Sequence, residues 1–217
     1  MKNIVSVLAV AAALALAFPA EAQVAIDLKV GYAIPTGNAT ASGGVDVYAG
    51  AMNKLWSGAV PLEAAGRYRF SPNLSAGVYF QYDPAFVATW SCSAGLDCSG
   101  YDMRVGVEAV YGFLPDGFLN PWVSVGTGWE WTHLYVTDSV LANTITFSGW
   151  EYFNVQAGLD FNLSKRFAIG PYVGYFGGSY TSVSGDLSGS SVNGSIPSEF
   201  RSFHGWVQLG AKGTVNL

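Results

Sequence analysis

The chain has 217 residues, of which 50% are hydrophobic, 15% aromatic and only 12% charged, and it contains 27 glycines. Soluble domains carry about 25% charged residues, so this chain is short of charge for a water-facing surface, yet it is too hydrophobic to be disordered. Ten basic against fifteen acidic residues exclude a basic nucleic-acid-binding surface. Two cysteines are too few for a disulfide scaffold.

The amino terminus has the pattern of a secretory signal peptide. Lys2 is followed by an apolar stretch at 4–18 and by an Ala-Glu-Ala sequence at 20–22, the features that a signal peptidase recognises. We therefore expect residues 1–22 to be a signal peptide and 23–217 to form one domain. No later segment approaches the eighteen consecutive apolar residues expected of a membrane-spanning helix.

Eight segments of the remaining chain alternate apolar residues with small or polar ones, which is the period of a β-strand with two different faces. In the first segment, for example, Ile26 and Leu28 alternate with Asp27 and Lys29. In chain order the segments run 25–34, 62–70, 74–83, 101–113, 123–131, 153–162, 167–175 and 207–217.

The connections between these segments also alternate, in length. Short ones lie at 71–73, 114–120 and 164–166, and long ones, rich in Gly, Ser, Thr and Asn, at 35–59, 84–100, 136–149 and 177–202. This pattern and the even number of strands predict an all-β, eight-stranded antiparallel up-and-down β-barrel with one elaborate end.

The distribution of charge indicates which face of each strand points outward. Removal of residues 1–22 takes away Lys2 and Glu21 and leaves 23 charged residues, twelve of them on the polar strand face. The opposite face carries essentially no charge and has aromatic residues towards both ends, as the lipid-facing wall of a transmembrane barrel does. A soluble barrel with an apolar interior is the alternative. The twelve charged residues are Asp27, Lys29, Glu63, Arg67, Arg69, Asp83, Asp102, Arg104, Glu108, Glu130, Asp160 and Lys212.

Three short stretches carry a resemblance to a known family. They are 27–37 (Asp-Leu-Lys-Val-Gly-Tyr-Ala-Ile-Pro-Thr-Gly), 121–123 (Pro-Trp-Val) and the terminal 210–217. In these stretches and in its overall pattern the chain resembles the small bacterial outer-membrane β-barrels of the OmpA/OmpX/OmpW-like class, in the outer membrane beta-barrel domain family. Members of the family usually end in an aromatic residue, whereas this chain ends in Leu217.

The resemblance implies a location in the bacterial outer membrane of a Gram-negative cell. We expect contact with outer-membrane lipids and lipopolysaccharide, and insertion by the barrel assembly machinery. We also expect a monomer without a cofactor and without a nucleic-acid partner.

Two cysteines lie close together in the second long connection. We expect Cys92 and Cys98 to form a disulfide in an exported protein. The alternative, a metal site, would need further His or Cys ligands, and none accompanies them.

The charged strand face is the first candidate functional site. Its acidic and basic side chains would meet inside a barrel that is only wide enough to be filled by side chains. We expect a plug of paired charges, with a narrow gated pore or pocket as the alternative, and near-balance of charge argues against strong ion selectivity. The candidate residues are Glu63, Arg67, Arg69, Arg104, Glu108, Glu130 and Lys212.

The first long connection is unusually apolar for an exposed segment. It contains Tyr48, Met52, Leu55 and Trp56. These residues predict either a short helix that packs over the barrel mouth or, as the resemblance to OmpW-like proteins allows, an entry site for a hydrophobic ligand.

The two histidines raise the question of catalysis. Ser202 and His204 are two residues apart, with Glu199 nearby, but nothing in the flanking sequence fixes a catalytic geometry. We expect His204 to be solvated and His133 to lie at the membrane interface. The sequence therefore favours a non-enzymatic structural or surface-interaction protein. The alternatives are a narrow channel for small or hydrophobic molecules and, third, a lipid A-modifying enzyme.

Overall fold

The computed structural model of the protein describes residues 24–40, 50–88, 92, 96–137, 142–187 and 190–217. The predicted signal peptide lies outside these residues, as does Tyr48. In the described part of the chain, no helix is both long enough and apolar enough to cross a membrane.

The described residues are almost entirely β-strand, with one short helix and one 3-10 turn. In chain order the elements are β1 (Val24–Gly37), α1 (Met52–Leu55), β2 (Trp56–Ala59), β3 (Leu62–Arg69), β4 (Leu74–Val87), β5 (Asp97–Gly112), β6 (Leu119–Thr137), β7 (Ala142–Asn162), β8 (Phe167–Leu187), β9 (Ser190–Ser195), the 3-10 turn (Ser198–Phe200) and β10 (His204–Asn216).

Antiparallel pairing of neighbouring strands closes the sheet into a ring. The last strand, β10, pairs with β1 on one side and with β8 on the other. Strands β2 and β3 share one position between β1 and β4, because the chain leaves the strand conformation at Val60 and Pro61. Strand β9 pairs with β8 above the ring. The ring therefore has eight positions, and the predicted eight-stranded antiparallel barrel is confirmed.

Alternate residues along each strand face opposite sides of the wall. Leu28 is 61% exposed, whereas its neighbours Asp27 and Lys29 are 1% and 4% exposed. The same division holds along the other strands, where many large aliphatic and aromatic side chains are exposed, such as Val78 (61%) and Val107 (53%), whereas Arg104 and Glu108 are buried. The apolar face is outside and the charged face inside, so the alternative of a barrel with an apolar interior and a polar exterior is wrong.

Several strands run much further than predicted. Strands β7 and β8 each have 21 residues, and most of the described residues in the expected loops at 84–100, 136–149 and 177–202 lie in paired strands. The sequence predicts loops there because these segments are rich in Gly, Ser, Thr and Asn, but a backbone ladder above the membrane needs no apolar alternation.

The long strands make one side of the barrel taller than a bilayer. At about 3.3 Å per residue and a tilt of roughly 40°, a strand of this length rises about 50 Å, against an apolar band of about 25 Å. The upper parts of β6, β7, β8 and β9 therefore form a sheet that projects beyond the membrane at the end opposite the short turns.

Candidate functional site in the barrel interior

Arg104 lies at the centre of the largest group of charges in the barrel interior. It projects inward from β5 and is fully buried. Its guanidinium lies 3.2 Å from Asp83 of β4, 3.0 Å from Glu130 of β6 and 3.7 Å from Glu151 of β7, and it also pairs with Asp102. One cation thus connects four neighbouring strands through four carboxylates.

A histidine from the far side of the ring joins the same group. Nε2 of His204, on β10, lies 2.8 Å from a carboxylate oxygen of Glu130. The imidazole stacks on Tyr180 with a ring separation of 3.9 Å, and the hydroxyl of Tyr180 lies 2.7 Å from that of Thr132. We call Arg104 and its four carboxylate partners, together with His204 and Tyr180, the upper cluster.

The expectation that His204 is solvated is wrong, since its side chain is 1% exposed. The reason is that β10 begins at His204, where the residue pairs with Gly178 of β8 and its side chain points inward. The imidazole is therefore hydrogen-bonded to Glu130 at Nε2 rather than to Ser202.

A second group of charges surrounds Lys29 on β1. Its ammonium lies 2.7 Å from Glu63 and 3.6 Å from Glu108, and it donates a hydrogen bond of 2.9 Å to the side-chain oxygen of Gln156. Because these partners come from β3, β5 and β7, the bonds of Lys29 cross the barrel interior.

A third group lies nearest to the short turns. Arg67 pairs with Asp27 at 2.5 Å and donates to the hydroxyl of Ser75 at 2.7 Å. Lys212 pairs with Asp160 at 2.9 Å. These pairs connect β3 with β1 and β10 with β7.

The structure distributes the seven predicted charged residues among these groups, with one exception. Glu63, Arg67, Arg104, Glu108, Glu130 and Lys212 are all buried in the interior. Arg69 instead lies half-buried at the rim near the short turns, where its guanidinium donates to Asn216 at 2.7 Å.

The interior is more acidic than the sequence indicated. Among the described residues, eight acidic and four basic side chains are buried, in place of the expected near-balance. The difference arises because Glu151, at the edge of a predicted loop, also points inward, whereas Arg69 does not reach the interior. The acidic residues are Asp27, Glu63, Asp83, Asp102, Glu108, Glu130, Glu151 and Asp160, and the basic ones are Lys29, Arg67, Arg104 and Lys212.

Buried aromatic rings contact the charges, and inward-facing glycines make room for them. The ammonium of Lys212 lies 3.8 Å from the ring centroid of Trp122, a cation–π contact. Tyr79 donates a hydrogen bond of 2.6 Å to Glu151 and lies against Gly106 and Gly128, where a Cβ would come within 2.5 and 2.7 Å of its hydroxyl.

Apolar residues pack together beyond the upper cluster, at the end of the barrel opposite the short turns. Met52 and Leu55 of the short helix α1 and the adjacent Trp56 are buried there. They pack against nine further buried residues, and we call the whole group the mouth cluster. The nine residues are Ala33, Ala39, Ala59, Leu134, Ile145, Phe147, Tyr180, Ile196 and Trp206.

The predicted disulfide between Cys92 and Cys98 is present, with a Cα–Cα distance of 6.0 Å. Within the described ranges, no group of three or more His, Cys, Asp or Glu side chains is arranged to hold a metal ion.

Known proteins resemble this chain in fold and not in sequence. No protein-family model matches the chain, and no curated protein matches it in sequence. A major outer membrane protein from Thermus thermophilus has a TM-score of 0.53 at 11% identity, covering 88% of this chain and 99% of the other. The outer membrane protein OprG from Pseudomonas aeruginosa has a TM-score of 0.50 at 13% identity, covering 91% of this chain and 98% of the other.

The chain has the fold of the small bacterial outer-membrane β-barrels. Neisserial surface protein A is a further solved structure of similar shape, with a TM-score of 0.49, 12% identity and coverage of 89% and 97%. The apolar outer wall and the polar interior agree with this fold and place the barrel in the outer membrane.

Proposed function

We propose that the protein is a non-enzymatic outer-membrane barrel with a lumen closed by ion pairs and an extracellular sheet that serves as an interaction surface. The observation that carries the proposal is Arg104, which is fully buried and paired with carboxylates from four adjacent strands. A charge in this position stabilises the barrel only while its partners remain in place.

Successive layers of side chains support a closed lumen. The group around Arg67 and Lys212 lies nearest to the short turns, the partners of Lys29 cross the barrel, and the upper cluster lies towards the opposite end. The mouth cluster lies beyond it. An eight-stranded barrel has space for little more than its own side chains.

The tall sheet supports a role in surface interaction. Strands β7 and β8 continue well past the apolar band, and β9 adds a fully exposed strand to their outer part. A structural role in the membrane alone does not need this extension.

We propose further that the outward aromatic residues near this end contact lipopolysaccharide, that the assembly machinery inserts the barrel, and that the protein acts as a monomer.

A narrow channel for small or hydrophobic molecules is the second candidate. The observation that favours it is the mouth cluster, because Met52, Leu55 and Trp56 offer an apolar surface at the outer opening. Displacement of α1 would uncover this surface.

A lipid A-modifying enzyme is the third candidate, and an altered lipid A profile after overexpression of the protein would favour it.

Planar-bilayer recording of the refolded protein tests the closed lumen. We expect no stepwise conductance from the wild type, while an open porin recorded in the same bilayers gives clear steps. A gel shift between boiled and unboiled samples verifies that the protein is folded. Stepwise conductance from wild-type protein that passes this folding test would contradict the closed lumen and favour the channel.

A further inference from the structure

The end of the barrel with the short turns opens into a cavity of about 940 Å³. Its walls include the turns that join β3 to β4, β5 to β6 and β7 to β8, and it reaches inward to Arg67, Trp122 and Lys212. Short turns of outer-membrane barrels face the periplasm, so we call this space the periplasmic cavity. Its volume lies within the range of small-molecule sites.

Basic side chains outnumber acidic ones in the described lining of the periplasmic cavity. Four basic and two acidic residues line it. The two deepest basic residues, Arg67 and Lys212, have carboxylate partners at 2.5 and 2.9 Å. No ion pair within the described part of the chain involves the other two, Arg69 and Lys165. The rim of the cavity therefore carries two positive charges that have no carboxylate partner among the described residues.

The side chain of Asn216 holds Arg69 beside the turn that carries Lys165. The guanidinium of Arg69 donates to Oδ1 of Asn216 at 2.7 Å, and Nδ2 of Asn216 donates to the carbonyl of Lys165 at 3.3 Å. The backbone N–H of Asn216 also donates to the carbonyl of Arg166 at 2.8 Å. A neutral amide thus positions the guanidinium without neutralising it, and most of its N–H donors have no partner in the described part of the chain.

We propose that Arg69 and Lys165 bind a phosphate group at the rim of the periplasmic cavity. A guanidinium presents its donors in a planar fork that fits two phosphate oxygens, and an ammonium adds a point charge. Two neighbouring cations can bind either inorganic phosphate or the singly charged phosphodiester of a lipid headgroup. The phosphate group comes either from free inorganic phosphate or from a lipid headgroup of the periplasmic leaflet. This site does not depend on whether the lumen conducts.

The test is a calorimetric titration of the protein, refolded in maltoside micelles, with inorganic phosphate at constant ionic strength. A second set of micelles carries phosphatidylglycerol or, as the phosphate-free comparison, diacylglycerol, and the guanidinium resonances are followed by NMR. The variants are Arg69→Gln and Lys165→Gln. The matched control is Lys54→Gln, which removes a positive charge from α1 at the opposite end of the barrel.

We expect each rim variant to weaken phosphate binding at least about tenfold, since each removes a charge-assisted contact, whereas Lys54→Gln leaves the affinity unchanged. A shift of the Arg69 resonance with phosphatidylglycerol alone would assign the site to a lipid headgroup. Lys165 lies in an exposed turn, so its replacement leaves the fold intact even if Arg69→Gln fails to refold. The proposal is overturned if the Arg69 resonance shifts with neither inorganic phosphate nor phosphatidylglycerol. Equal phosphate affinities of the rim and control variants would also overturn it.

Discussion

Replacement of Arg104 with methionine tests how strongly the interior ion pairs stabilise the barrel. The side chain is fully buried, and its removal leaves Asp83, Asp102, Glu130 and Glu151 without their shared cation. Removal of one partner from a buried ion pair costs about 3–5 kcal/mol, and here several carboxylates lose the same partner. We therefore expect the free energy of unfolding to fall by at least about 4 kcal/mol at pH 7.5.

The loss should be smaller in acid. Protonation neutralises the carboxylates that the substitution leaves unpaired, so we expect the penalty at pH 4.5 to be lower by at least about 1 kcal/mol. Urea titrations in lipid vesicles, followed by tryptophan fluorescence, measure both values. Arg201→Met is the matched control, because Arg201 is exposed and donates to a backbone carbonyl. A stability of Arg104→Met within about 1 kcal/mol of this control at pH 7.5 would refute the reasoning.

The same titration tests the interior packing with Gly106→Ala, for which Gly213→Ala is the control, and the outer wall with Val78→Arg. Gly106→Ala should cost about 1–3 kcal/mol, because the added Cβ would lie 2.4 Å from the backbone oxygen of Thr127 and 2.5 Å from the hydroxyl of Tyr79. Gly213→Ala, with no atom within 4 Å of the new Cβ, should stay within about 0.5 kcal/mol of wild type, and equal losses at the two glycines would contradict the packing argument. Val78→Arg, at a site 61% exposed on the outer wall, should cost about 2–4 kcal/mol in a bilayer. A change in the free energy of unfolding below about 0.5 kcal/mol for Val78→Arg is typical of a water-facing surface. Such a result would contradict a lipid-facing wall.

Alternation along the strands was sufficient to predict the barrel and the direction of its side chains. The pattern around Asp27, Leu28 and Lys29 recurs in eight segments, and a one-residue shift in any of them would exchange the inner and outer faces. Most residues of the charged interior could be predicted for the same reason. In a strand whose other face contacts lipid, a charged side chain is stable only when it points into the barrel.

The upper parts of the barrel could not be predicted in this way. Gly, Ser, Thr and Asn are frequent at 136–149 and 177–202, so these segments resemble loops in sequence. Among their described residues, 142–149, 177–187 and 190–195 nevertheless lie in paired strands. Glu151 and His204 lie at the lower limits of these segments, which is why the former was missed as an interior residue and the latter was expected in solvent.

Specific partners of the interior charges also required the structure. The pair between Glu130 and His204 joins residues 74 positions apart across the barrel, and strand alternation contains no information about such distances. The rim position of Arg69 depends likewise on Asn216, at the other end of the chain.

Accessibility of a single cysteine at Ser124 tests the closed lumen most directly. Ser124 is 3% exposed, and its hydroxyl has no hydrogen-bond partner in the described structure, so Ser124→Cys is a small change. Cys92 and Cys98 are joined in a disulfide and contribute no free thiol. A charged methanethiosulfonate reagent should label Ser198→Cys, on the exposed 3-10 turn, in the folded barrel. It should label Ser124→Cys only after unfolding. Rapid labelling of Ser124→Cys in the folded barrel would contradict a lumen closed by its own side chains.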